Sequence, residues 1–338
     1  MKVATIFEDG SAGLSDVPDP ESVNNMAVVK VYVAPMCTEY KALLGKGAGK
    51  NFGHEAVGEV VEIERPGRIQ IGDRVIVQPG APCGSCYICL CGDYIYCENG
   101  LRGFPTGFKP NTSTMAQFLN KVDWLLTPIP DEMSYEHASM ACCGLGPTYG
   151  AVRKMNVNSY DTVLITGLGP VGLGGVINST YLGANVIGVD PNPYRAKLAL
   201  GLGAAAVFDP DDDDILDKIK QETDGHLGVD KAMDCSGSAS AHRLIIDAVR
   251  RRGEVSFIGE GKSFPLFASD DMLRKGISLH GIWHYNISDS LNLIKVIEQN
   301  SDKLDKFITH KFPMSQVQHA WELQGTMACG KVLLDPWS

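Results

Sequence analysis

Positive charge is what this sequence has too little of. Thirty Lys and Arg stand against 40 Asp and Glu, a formal net charge of −10 over 338 residues. That deficit speaks against a nucleic-acid or anionic-membrane partner, because either would want a basic face. No apolar run reaches the length of a membrane span. The opening stretch MKVATIFEDG alternates like a first strand and has neither the apolar core nor the cleavage site of a secretion signal, so a cytoplasmic protein is expected. Internal repeats are absent, and the only low-complexity tract is Asp211 to Asp214. What remains is an ordinary globular balance, 44% apolar and 21% charged, which argues against disorder in a chain long enough for two folded domains.

Cysteine, by contrast, is plentiful, and five of the ten fall between Cys83 and Cys97. Without a secretion signal, such clustering reads as metal ligation and not as disulfides. Cys83, Cys86, Cys89 and Cys97 follow C-x2-C-x2-C-x7-C, and four thiolates close a tetrahedral set suited to a structural zinc. The same soft donor set suits iron–sulfur, but no redox-partner motif accompanies it. Cys91 is a fifth thiol in this lobe, either a spectator or a substitute for Cys89.

The stretch from Asp161 to Asp190 organises the second half. A β-rich run, Val163 to Thr166, meets Gly167-Leu168-Gly169-Pro170-Val171-Gly172; a helix-length segment follows, and a second apolar run closes on Asp190. This is the order a dinucleotide site requires. Gly167 permits the turn, Gly169 lets a pyrophosphate approach the backbone, and Gly172 lets helix and strand pack closely. The helix N-terminus beyond them, at Pro170 and Val171, offers a positive dipole end to phosphates. Asp190, 23 residues after Gly167, is placed to accept hydrogen bonds from ribose hydroxyls. A 2′-phosphate about 5 Å away would be repelled by about 3 kcal/mol per charge at a dielectric near 20. Arg195 softens that penalty, so NAD is expected and NADP disfavoured.

Residues 1 to 80 are β-rich, with runs such as MAVVKVYVA, EAVGEVVEI and DRVIVQP. Cys37 and His54, each alone, would be ordinary structure. Together, Cys37, Gly53-His54-Glu55, the four-cysteine lobe, Cys143 ahead of Tyr149-Gly150-Ala151, the Gly167–Gly172 loop and the closing Gly330-Lys331-Val332 resemble the zinc-dependent medium-chain dehydrogenases. The likeness runs over nearly the whole chain. It implies an α/β protein in which a GroES-like β-rich catalytic domain (1–150, zinc lobe about 81–98) precedes a doubly wound Rossmann domain (151–286). A C-terminal segment (287–338) then completes the first domain. It also implies two zinc ions per chain. The catalytic one would be held by Cys37, His54 and Cys143, with Glu55 nearby and able to ligate; Cys142 is the fallback for Cys143. A homodimer or homotetramer is implied, with a small alcohol or carbonyl compound as the partner.

The family usually reads Cys-Gly-(Ser/Thr)-Asp after the first ligand, whereas here Cys37 is followed directly by Thr38-Glu39-Tyr40-Lys41. With one residue deleted, Thr38 is the hydroxyl that relays the alcohol proton; read without a gap, Glu39 takes that place. In the second half, strands at AAVFD, VDKAMDCSG, EVSFIGE and ISLHGIW alternate with helical segments at 193–202, 211–222, 239–251 and 268–275. Cys235 and Gly259 fall at strand C-terminal ends, where this fold meets its cofactor, although a packing role fits Cys235 equally well. The expected activity is reversible NAD-linked oxidation of a secondary alcohol, polyol, sugar or cyclitol to a ketone or aldehyde. One rival is a zinc-free quinone or enoyl NAD(P)H reductase, which has no need of Cys37, His54 and Cys143. The other is a nucleotide-binding redox sensor without enzymatic activity.

Overall fold

The computed structural model describes residues 1–45, 47–100 and 110–338. Two compact units emerge. One joins Met1–Cys143 to Asn286–Ser301 and Ile308–Ser338; the other joins Gly144–Tyr285 to Asp302–Phe307.

The first unit opens on an antiparallel pair, β1 (Lys2–Ile6) and β2 (Ala12–Asp16). The ten-residue β3 (Met26–Pro35) follows, rich in β-branched valine, and is the strand its sheet is built on. After the short α1 (Tyr40–Leu44) come β4 (Ala56–Glu62), β5 (Arg74–Val77), α2 (Tyr87–Leu90), β6 (Phe118–Val122), β7 (Leu126–Pro128) and α3 (Tyr135–Ala138). β4 and β6 both pair antiparallel with β3, and β5 pairs with β4 and β7. Inward side chains, among them Val29, Val31, Val60, Val75 and Leu126, form one apolar core.

The second unit starts with α4 (Gly146–Lys154) and then alternates: β8 (Thr162–Thr166), α5 (Pro170–Tyr181), β9 (Asn185–Val189), α6 (Pro193–Leu202), β10 (Ala206–Phe208), α7 (Ile215–Gln221), β11 (Val229–Asp234), α8 (Ala239–Ala248), β12 (Val249–Phe257) and β13 (Ser278–Gly281). All six strands are parallel in the order β10-β9-β8-β11-β12-β13, the doubly wound Rossmann arrangement. The remaining elements are α9 (Ser290–Glu298), α10 (Ser301–Phe307), β14 (Ile308–Pro313), α11 (Val317–Gly325) and β15 (Lys331–Asp335). β15 pairs antiparallel with the end of β3 at Leu333 and Leu334, so the C-terminal segment extends the first unit's sheet.

Several boundaries differ from the sequence reading. Residue 150 falls inside α4, whose helix belongs wholly to the second unit, and that unit also takes 302–307. The helix expected over 239–251 stops at Ala248, and by Arg252 (φ 62°) the chain is already within β12. The helix expected from 211 begins only at Ile215. Asp212 and Asp214 precede it and both hold Lys218 at 3.0 Å. The segment over 268–275 reduces to wide helical turns, Ala268–Leu273. Among the described residues, no helix is long and apolar enough to cross a membrane.

Candidate functional site

In the second unit, the glycine loop joins β8 to α5. Gly167 has φ 81°, a conformation other residues rarely adopt. A Cβ on Gly172 would lie 1.9 Å from the Gly167 carbonyl oxygen, so only glycine lets the helix start this close to the strand. Gly169 stands just before α5, and Pro170 and Val171 form its first turn, where Pro costs no hydrogen bond. Asp190 directly follows the next strand, β9. Its carboxylate accepts the Leu168 N–H at 2.6 Å and the Asn192 N–H at 2.8 Å, so it already holds the glycine loop. Two oxygens offer about four acceptor positions, which leaves capacity for a ribose hydroxyl. Arg195 lays its guanidinium over this loop, 3.7 Å from where a Cβ on Gly169 would stand, and its buried Nε has no acceptor among the described residues. An orphaned buried donor beside a glycine loop and a helix N-terminus fits a polar, anionic ligand such as a dinucleotide. The Cys235 Cβ lies 3.5 Å from where a Cβ on Gly172 would stand, and the Gly259 N–H donates to the Asp234 carbonyl.

In the first unit, the lobe brings four thiols together. The Sγ atoms of Cys83, Cys86, Cys89 and Cys97 all lie within 4.8 Å of one another. Cys86 to Cys89 is 3.5 Å, and the Cys83–Cys89 and Cys86–Cys97 pairs are each 3.9 Å. A zinc–sulfur length of about 2.3 Å demands tetrahedral edges of about 3.8 Å, so the set fits a closed zinc site. Backbone N–H groups point at the sulfurs: Cys86 N–H at Cys83, and Cys83 and Asn99 N–H at Cys97. The N–H groups of Ser85 and Cys86 bring the Cys83 thiol down to about 5, whereas burial pushes Cys89 up to about 12. Cys91 stays outside the cluster, exposed at the C-terminal end of α2. Cys91→Ser is therefore expected to leave metal content and melting temperature unchanged, whereas Cys89→Ser removes one metal ion per chain. Metal analysis of the two purified variants checks this.

A second cluster gathers Cys37, His54, Glu55 and Cys143, again within 4.8 Å. Cys37 follows the end of β3, His54 and Glu55 lead into β4, and Cys143 follows α3. Cys142, the alternative third ligand, is buried elsewhere, with its sulfur 3.6 Å from the Val77 carbonyl. Glu39 reaches back to this cluster: one carboxylate oxygen accepts the Cys37 N–H at 2.8 Å, and the other lies 2.9 Å from His54 Nδ1. Both oxygens are thus committed to orienting two members of the cluster, and Nε2 of His54 is left to face it. Thr38, the other relay candidate, is exposed beside Cys37, with Lys41 one helical turn further on.

Glu55 is fully buried. Lys331 Nζ, equally buried, sits 2.7 and 2.9 Å from its two oxygens, and the Cys143 N–H donates to Oε2 at 2.9 Å. Burial pushes the Glu55 carboxyl up to about 7 against the pull of Lys331. The hydrogen bond from Cys143 holds the Cys37 thiol well below its usual range, and the same bond drives Cys143 well above it. Burial would lower the His54 imidazole, but hydrogen bonds to Cys37 and Glu39 overcome it and raise it to about 11.

Neither Lys331 nor the orienting role of Glu39 was evident from sequence. The Gly330-Lys331-Val332 triplet was the available signal for the first, and the Cys37–Glu39 spacing for the second.

The chain is similar to known proteins over nearly its whole length. Residues 25–131 match the alcohol dehydrogenase GroES-like domain, and residues 170–299 match the zinc-binding dehydrogenase family. An L-threonine 3-dehydrogenase of Caldanaerobacter subterraneus is 31% identical over 295 residues, covering 85% of this chain and 82% of its own. A sorbitol dehydrogenase of Bacillus subtilis is 28% identical over 354 residues, covering 99% and 97%. Among solved structures, an alcohol dehydrogenase from Thermus sp. ATN1 superposes with a TM-score of 0.88 at 25% identity, over 99% of both chains.

Proposed function

The chain belongs to the zinc-dependent medium-chain dehydrogenases, and on that premise we propose that it oxidises a secondary alcohol, polyol, sugar or cyclitol reversibly to the ketone or aldehyde, with NAD as acceptor. One observation carries the reading: two thiols, an imidazole and a carboxylate converge, and the carboxylate is held back by Lys331. That leaves a Cys2His set with an open position, the arrangement of a catalytic zinc, beside a lobe whose four thiolates leave none. Zinc would supply Lewis acidity at the substrate oxygen, and NAD a hydride acceptor.

The protein's own groups do the rest. Glu39 fixes the His54 ring and the Cys37 backbone, which sets the donor directions. Thr38 Oγ1, next to Cys37, takes the hydroxyl proton of the substrate and passes it outward, with Lys41 beyond. Lys331 keeps Glu55 from filling the open position. The Asp190 carboxylate favours a free ribose hydroxyl over a phosphate, which supports NAD. The D-arabitol-phosphate and sorbitol dehydrogenases among its relatives support a hydroxyl-rich substrate.

Metal analysis of the wild type beside Cys143→Ala tests the reading. Two zinc ions per chain falling to one is expected, together with faster turnover of an alcohol panel with NAD than with NADP. One zinc in both proteins would overturn it in favour of the zinc-free reductase.

A further inference from the structure

Asp234 is the last residue of β11 and has no solvent exposure. Its Oδ1 accepts from Thr166 Oγ1 at 2.9 Å, from the Ser236 hydroxyl at 2.7 Å and from the Ser236 N–H at 3.2 Å. Its Oδ2 accepts from the Gly237 N–H at 2.9 Å and lies 3.0 Å from His242 Nε2, whose ring is packed between Phe257 and Phe264. Its backbone carbonyl takes the N–H groups of Ile258 and Gly259, each at 2.9 Å. One residue therefore ties together the C-terminal ends of three adjacent strands, β8, β11 and β12.

Stability alone does not explain a carboxylate here. An apolar side chain at a buried position is often as stable as a satisfied charge, so the charge points to a demand for one particular geometry. That geometry is the Ser236–Gly237 turn, which leans on the glycine loop: a Cβ on Gly167 would stand 2.7 Å from the Ser236 backbone nitrogen. β8 and β11 are neighbours in the sheet at the point where the strand order reverses, where this fold forms its ligand crevice. On the dinucleotide reading, Asp190 and Arg195, on the β9 side, would face the adenosine end. The β11–β12 side would then be left for the nicotinamide end.

We infer that Asp234 is a positioning residue for the nicotinamide half of the dinucleotide, acting through the Ser236–Gly237 turn that it locks. The inference rests on the dinucleotide reading made above. Without the carboxylate the two turn N–H groups lose their acceptor, and the wall beside Gly167 shifts. The β9 side, with its own hydrogen bonds from Leu168 and Asn192, does not.

The test is equilibrium binding of NADH and of AMP to the zinc-loaded wild type, Asp234→Asn and Ser236→Ala, with melting temperature and zinc content measured alongside. In Asp234→Asn, NADH is expected to bind about tenfold more weakly while AMP changes by less than about twofold, since the loss falls on one half of the site. Ser236→Ala, which removes one exposed hydroxyl, should show the same asymmetry at about threefold and carries the test should the first variant fail to fold. Equal weakening of AMP and NADH, or unchanged NADH affinity with only a lower melting temperature, overturns the inference. A wild type that binds neither nucleotide would instead bring down the dinucleotide reading, and the inference with it.

Discussion

Cys37→Ala and His54→Ala are each expected to lower turnover by about 10³-fold or more, a loss of at least about 4 kcal/mol of transition-state stabilisation, while NADH binding persists. Each removes a donor that the protein has arranged with care. Cys37 is fixed at both ends of its peptide: its N–H donates to Glu39, and its carbonyl accepts Gln324 Nε2 at 3.1 Å. His54 is turned by the other oxygen of the same carboxylate. With either ligand gone, two protein donors and a restrained Glu55 remain, too few for a zinc that must also keep a position free. One zinc per chain should be lost with activity, and the lobe should keep the other. Dinucleotide affinity should survive, because Gly167 to Gly172, Asp190 and Arg195 all belong to the second unit. Near-wild-type turnover in either variant would sink the zinc mechanism.

The parts legible in the sequence are those whose chemistry leaves a local trace. Gly167 and Gly172 are glycines because a turn at φ 81° and a 1.9 Å approach admit nothing larger, and Asp190 falls a fixed interval later because one helix and one strand intervene. The lobe was legible because all four thiols come from a single short loop. Where a site depends on which distant residues meet, the trace fades. Cys142 and Cys143 are adjacent in sequence, and only the turn after α3 sends one sulfur to the cluster and the other to the Val77 carbonyl. Glu39 could be read as a relay until its two oxygens were seen to be occupied. Lys331 lies 276 residues from Glu55, and in KVLLD it looks like the solvent end of a strand; in the fold it is fully buried.

Lys331→Met should therefore be the most damaging single substitution outside the ligands. An ion pair with no exposure on either side is costly to break, about 3–5 kcal/mol, because one charge is left buried without a partner. At about 2–4 °C per kcal/mol, the melting temperature should fall by about 10 °C. Glu55→Gln strands the lysine instead and should cost a similar amount. The double variant Lys331→Met/Glu55→Gln, with no charge left to strand, should lose less than the sum of the two singles, a coupling energy of about 2–3 kcal/mol. A double variant as unstable as the sum of the singles would mean that the two side chains act separately. Activity should part company with stability in this series. Once Lys331 no longer restrains it, Glu55 is free to move toward the open position, since its Oε1 is already only 3.9 Å from His54 Nε2. Lys331→Met should then retain two zinc ions yet turn over slowly at temperatures where it is folded, and the double variant should recover part of the rate because a neutral amide is a poorer competitor for zinc than a carboxylate. Slow turnover with zinc retained is the result that separates a restrained ligand from a merely stabilising salt bridge.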